Sequence, residues 1–235
     1  MDATDAGRAV TESLRERKKR LMRLQLSDTA AQMFIEHGFD AVRVADVAQA
    51  CGVSEKTVFN YFTTKEALVL DRLGSTMASL RTALADRHVR PVEAALRILD
   101  VELSSLTAML AAHPDPAVAA AAYRRFGDLI RTTPSLQAHQ SHMMDQFVTI
   151  TAEILADRAG LGPADPEPQI AATALLGLWR VQFQALRAHL DGTHTPEQVR
   201  QAVAADVRRA AHLLDDGLAS FTAFTVDAPQ PAPSP

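Results

Sequence analysis

The chain has 235 residues, of which 47% are apolar and only 5% aromatic, with a formal net charge of −4. That is enough for one large domain or two modest ones with real cores, and the alanine-rich, aromatic-poor balance favours close-packed helices over sheets. Its one cysteine, Cys51, excludes an intramolecular disulfide framework and fits a reducing compartment. The start, "MDATDAGRAV", is acidic and polar where a secretory signal would be basic and then apolar. The longest apolar run, residues 170–179, is about half of the roughly 18 residues that a membrane span needs. The expectation is a cytoplasmic chain without a membrane partner.

Taken in chain order, the pattern predicts about nine helices and no strand. Residues 1–12 read as a flexible arm. A first helix is expected over 13–37, with Leu21, Leu24, Ala31, Phe34 and Ile35 at three-to-four spacing and a glycine in "HGF" to end it. Two short helices follow at 44–50 and 54–62. A longer one is expected over 64–87, opened by Thr64-Lys65-Glu66 as cap and early acid. Pro91 opens a fifth, and "HPDP" (113–116) breaks it. A sixth reaches 131, and "TTPS" (132–135) starts a seventh that runs to 159. The loop "GLGPADPEP" (160–168) precedes an eighth helix at 169–190, and the loop "DGTHTPEQ" (191–198) starts a ninth that reaches about 222. The proline-rich tail, 226–235, reads as disordered.

The net charge hides an uneven distribution. Residues 1–70 hold ten basic and ten acidic side chains, and all four lysines, Lys18, Lys19, Lys56 and Lys65, precede residue 66. "RERKKRLMR" (15–23) carries a local charge of +5. This break divides the chain into a head at 13–68 and a larger helical body at 69–225, and it marks the head as the surface that meets an anion.

Two short helices around Gly52 describe a helix-turn-helix. Val47, Cys51, Val53 and Val58 are spaced to face inward, Ala48 is small where the helices approach, and Ser54 can cap the second helix by accepting from Lys56 or Thr57. The outward set is then Glu55, Lys56, Thr57, Phe59 and Asn60, with Tyr61 at the edge. These are side chains suited to base edges and phosphates in a major groove. Lys65 stands at the start of the next helix, where an ammonium and free amides can hold phosphate. The basic run, with Arg17, Lys18 and Arg20, suits sequence-independent phosphate contact.

The stretch "TAAQMFIEHGFDAVRVADVAQACGVSEKTVFNYFTTKEALV" resembles the DNA-binding domain of the TetR family of transcriptional regulators, with "GVS…TVFNYFTTKEAL" its most distinctive part. The resemblance implies a homodimer on a palindromic operator and a small-molecule effector in the C-terminal domain that moves the fourth helix. It places Arg43, Val44 and Ser54–Tyr61 on DNA. Family members often have threonine where Arg43 stands. A guanidinium reaches phosphate but cannot cap a helix. Glu55 is a second departure, an acid on the reading helix that either accepts from cytosine or repels phosphate.

In the body, the eighth helix is apolar nearly all round, which points to one face for its own core and one for a second subunit. Ala174, Gly177, Leu178 and Val181 are the candidate dimer contacts. Leu106, Met109, Phe126, Ile130, Met143, Phe147, Trp179 and Phe183 can line an apolar cavity, with His113, Tyr123, His139 or Gln182 as polar anchors, so an apolar or aromatic effector is expected. His139 and His142 are three apart on a helix, but no cysteine is near, so neither a metal nor a cofactor is expected. No phosphate loop, nucleophile elbow or dinucleotide fingerprint is present. A ligand-binding protein without an operator is the main alternative to a ligand-responsive regulator, ahead of a helical metal-dependent enzyme.

Overall fold

The computed structural model describes residues 13–70 and 72–215. Among them every regular element is an α-helix: α1 (Leu14–His37), α2 (Val44–Ala50), α3 (Glu55–Tyr61), α4 (Ala67–Leu70), α5 (Arg72–Ala85), α6 (Pro91–Ala112), α7 (Pro116–Thr132), α8 (Pro134–Ala159), α9 (Pro166–His189) and α10 (Pro196–Asp215). The all-α expectation is met, with ten stretches rather than nine. The helix expected over 64–87 is described as α4 and α5, with Asp71 outside the described residues. The arm at 1–12 and the tail at 226–235 also lie outside them. The chain divides into two compact units, one ending at Asp71 and the other starting at Arg72.

Local chemistry sets the helix ends. Ser13 caps α1 in a capping box with Glu16, and Gly38 closes it at φ +87°, a left-handed backbone open to glycine. Prolines occupy the first turn of α6, α7, α8 and α9, where a missing amide hydrogen costs nothing. That rule also moves the start of α9 three residues ahead of its expected position, to Pro166, with Pro168 buried in the same turn.

In the first unit α1 buries Leu26, Ala30 and Phe34, a four-residue stripe. Leu21 and Leu24, expected on that face, are exposed, because the stripe starts at Leu26 and the turn before it remains in solvent. Val47, Ala48, Val58, Phe62 and Leu68 complete the small core.

The core of the second unit is built by α5, α6, α8, α9 and α10, around Leu80, Leu84, Leu99, Leu103, Leu155, Leu175 and Trp179. Arg158 of α8 is 6% exposed and carries its charge into this core. Its guanidinium donates to the carbonyls of Leu84 (3.0 Å), Asp86 (3.3 Å) and Val89 (2.8 Å), which are the last turn of α5 and the loop after it. Carbonyls at a helix end have no partner within the helix, so a buried cation there satisfies them and meets the negative end of the helix dipole. Burial, then the nearby Arg87, pull the Arg158 guanidinium below its ordinary value, and Asp86 opposes them.

Arg158→Met keeps much of the apolar stem but takes the guanidinium from the Leu84 and Val89 carbonyls, and from the Asp86 carbonyl, which keeps the Val89 amide at 3.3 Å. It is expected to destabilise the second unit by about 3 kcal/mol in urea unfolding, whereas Arg97→Met, at an exposed ion pair with Glu93, changes stability by less than about 1 kcal/mol.

Candidate nucleic-acid interface

The two motif helices are seven residues each, too short to persist alone, and their inward faces hold them. Val47, Ala48 and Val58 are buried as expected, while Cys51 and Val53 are only half-buried, at the rim of the contact. Gly52 turns between them at φ +68°, a conformation that side chains rarely adopt. Ser54 caps α3 by accepting from the Thr57 amide (3.1 Å), and its hydroxyl also meets the Thr57 hydroxyl (2.8 Å).

With Val58 turned in, Glu55, Lys56, Phe59 and Asn60 are exposed on one side of α3, and Thr57 and Tyr61 are half-buried at its edges. Phe59 is 46% exposed, an aromatic ring left in water on a small unit whose other phenylalanines are buried. Arg17, Lys18 and Arg20 are exposed along α1. Arg23, from the same basic run, lies over the Phe62 ring at 4.9 Å instead.

Arg43 precedes α2 without capping it. Its backbone amide donates to the Asp46 carboxylate (2.8 Å), and its guanidinium meets the same group at 2.9 and 3.3 Å. Asp46 therefore does the capping from the third helical position. Hydrogen bonding to Arg43 holds the Asp46 carboxyl below the usual range and raises the guanidinium in return. Because the folded value is depressed, this cap is present at neutral pH and is lost only as the pH falls through that lowered value. Glu55, at the start of α3, adds a weaker attraction to Arg43. The acid that looked repulsive in isolation is thus part of the field around a cation. Val44, also placed on DNA by the family pattern, is half-buried in the first turn of α2.

Lys65 differs most from expectation. Its ammonium donates to the Phe39 carbonyl at 2.5 Å and lies over the Phe39 ring at 4.3 Å and the Phe34 ring at 5.6 Å. The two rings themselves meet at 5.0 Å. The expected phosphate ligand is a tie between the end of α1 and the start of α4, where Thr64 caps by accepting from Ala67 (3.1 Å).

The body corrects several expectations. Trp179, Gln182 and Phe147 are buried in the core, and Leu106, Tyr123 and Met143 pack against it. Phe126, Ile130 and His139 are half-buried. Met109 and Phe183 are 49% and 45% exposed, so they face outward rather than into a cavity. The His113 ring is exposed and meets Asp115 backbone atoms at 2.7 and 3.0 Å. None of these twelve borders the larger of the two described grooves, which has a volume of about 600 Å³ and lies between α5 and α6. On α9, Ala174 and Gly177 are half-buried, Gly177 with open space beside it, and Ile170 is 68% exposed, while Val181 is half-buried and also packs against the core. Leu178, expected with them, is 1% exposed and belongs to the core, because it falls on the same face as Leu175 and Leu186. No group of three or more histidine, cysteine or acidic side chains among the described residues is placed to hold a metal ion. No described helix is long and apolar enough to cross a membrane.

A compact helix-turn-helix with a polar outer face, followed by a larger helical unit, defines the architecture of a one-component DNA-binding regulator. The family model for bacterial regulatory proteins of the tetR family matches residues 26–71, and that for the MftR C-terminal domain matches residues 104–219. The chain belongs to the TetR family of transcriptional regulators, whose members are not enzymes. It is similar to a Mycobacterium tuberculosis protein named as the mycofactocin biosynthesis transcriptional regulator MftR, with 28% identity over 153 residues, 65% of this chain and 73% of that one. It is also similar to the HTH-type transcriptional repressor ComR of Escherichia coli, with 36% identity over 97 residues, 40% of this chain and 46% of that one. Among solved structures, the SmeT–triclosan complex has the same fold, with a TM-score of 0.50 at 17% identity over 90% of this chain and all of that one.

Sequence reasoning missed Asp46 and the aromatic seat of Lys65. The first was visible as an acid three residues into a helix; the second joins residues 26 apart and leaves no local signal. Lys65→Met is expected to destabilise the first unit by about 1–2 kcal/mol in thermal unfolding without DNA, whereas Lys56→Met, on an exposed face, leaves unfolding unchanged.

Proposed function

We propose that this chain is a cytoplasmic, ligand-responsive transcriptional repressor that binds a palindromic operator as a homodimer and is released by a small effector with an apolar body. The observation that carries the reading is the exposed row Glu55, Lys56, Phe59 and Asn60 on a helix fixed from behind by Val58. Ser54, Thr57 and Tyr61 flank that row, and Arg17, Lys18, Arg20 and Arg43 supply the cationic surroundings that neutralise phosphate. Lys56 and Asn60 are assigned to base edges, Phe59 and Tyr61 to apolar or stacking contacts, and Arg43 to phosphate from within its pair with Asp46. Repression is supported by the similarity to ComR.

Dimerisation is assigned to the open side of α9, where Ala174 and Gly177 are small enough for close approach and Val181 and Ile170 are apolar. Small residues let two helices pack at short distance, and paired heads are what a palindrome reads. The body, residues 72–215, is assigned to the effector.

A band-shift assay with DNA from upstream of the chain's own gene tests the reading, and no shift at low salt contradicts it. Lys18→Ala is expected to weaken binding to every sequence and to lower the salt slope by about one. Asn60→Ala is instead expected to change operator preference, by about 1–3 kcal/mol at the base pair it reads. Val181→Asp is expected to leave helicity intact while sedimentation shows monomers and the specific shift disappears.

A further inference from the structure

The α5–α6 groove is not symmetric in charge. Thr76, Ser79 and Thr82 border it along α5, and Ile98, Val101 and Glu102 along α6. Glu102 is half-buried and its two carboxylate oxygens are both engaged by neutral donors. One accepts from the Thr76 hydroxyl, and the other from the indole N–H of Trp179 at 3.0 Å. Among the described residues no cation pairs with it. The other charges at the groove are compensated: Arg97 pairs with Glu93 at 2.6 Å, and Asp86 lies next to buried Arg158, whose guanidinium holds the Asp86 carbonyl.

A half-buried carboxylate without a counter-ion is costly, and a bound cation offsets that cost. Close by, Ala83, Ile98 and Val101 offer apolar surface, and the volume of about 600 Å³ suits a small organic molecule. We propose that the α5–α6 groove is a binding site for an amphiphilic amine, whose ammonium pairs with Glu102 and whose hydrocarbon body lies along Ile98 and Val101. This rests on reading the chain as effector-responsive. It names the chemistry of the effector. An ammonium at Glu102 competes with the Thr76 hydroxyl, so occupancy loosens a bond between α5 and α6 while Trp179, behind the carboxylate, is held.

The site carries its own reporter, since Trp179 is the chain's one tryptophan. Full-length protein is titrated with hexylamine, and in parallel with hexan-1-ol and hexanoate, while tryptophan fluorescence is followed. A saturable change with hexylamine is expected below about 1 mM, with hexan-1-ol and hexanoate at least about tenfold weaker. Glu102→Gln retains acceptor and shape but loses the charge, and is expected to weaken hexylamine about tenfold or more. Val101→Lys, at a position 65% exposed, leaves the fold intact and is expected to do the same by placing an ammonium in the groove. The proposal is overturned if hexylamine does not saturate, if hexan-1-ol or hexanoate binds as tightly, or if both variants bind hexylamine like the parent. Absence of any operator shift in the band-shift assay overturns the proposed function while leaving this titration interpretable. A shift that is present, with no amine response, overturns the groove assignment alone.

Discussion

A helix of seven residues has no stability of its own in water, and both helices of the DNA-reading motif are of that length. Everything that the first unit presents therefore depends on what holds α2 and α3 from behind. Val47 and Val58 are buried between them, Gly52 makes the turn at positive φ, and Ser54 and Asp46 satisfy the amides at the two helix starts. Lys65 then joins the end of α1 to the beginning of α4 through the Phe39 carbonyl and two aromatic rings. The half-buried Lys65 ammonium is held there by a carbonyl and two π-faces. The cost is that this ammonium is spent on the fold.

The second unit solves a related problem at the far end of α5. Three carbonyls there, that of Leu84 in the buried core and those of Asp86 and Val89 at its edge, accept from one arginine of α8. Two groups grip α5 within the second unit. They are Arg158 at its C-terminal end and the Thr76–Glu102 bond in its first half. The first is buried and has no competitor. The second borders a groove, where a ligand can reach it.

Much of this was legible in the sequence, because it is written in local chemistry. Prolines at 91, 116, 134 and 196 open four helices, while Pro166 was read as loop; Ser54, Thr64 and Gly38 mark ends; and burial of Val47, Ala48 and Val58 in the motif follows from spacing. Exposure of Glu55, Lys56, Phe59 and Asn60 follows from burial of Val58. What was not legible depends on distant partners. Lys65 finds its seat 26 residues away, Trp179 finds Glu102 77 residues away, and Arg158 reaches back about 70 residues. Leu178 was misplaced for a different reason. On a helix apolar nearly all round, periodicity does not say which stripe faces its own core, and only the packing of α6, α8 and α10 decides it. The same ambiguity sent Phe183 of α9 to a cavity when it lies at the surface, where Met109 of α6 also lies.

The central claim is that this head reads DNA in pairs. Hydroxyl-radical footprinting of the full chain on the DNA upstream of its own gene tests it most directly. The account predicts two protected patches of related, inverted sequence on one face of the duplex, their centres separated by about one helical turn or a multiple of it. A single unpaired patch, or none at low salt, would contradict it.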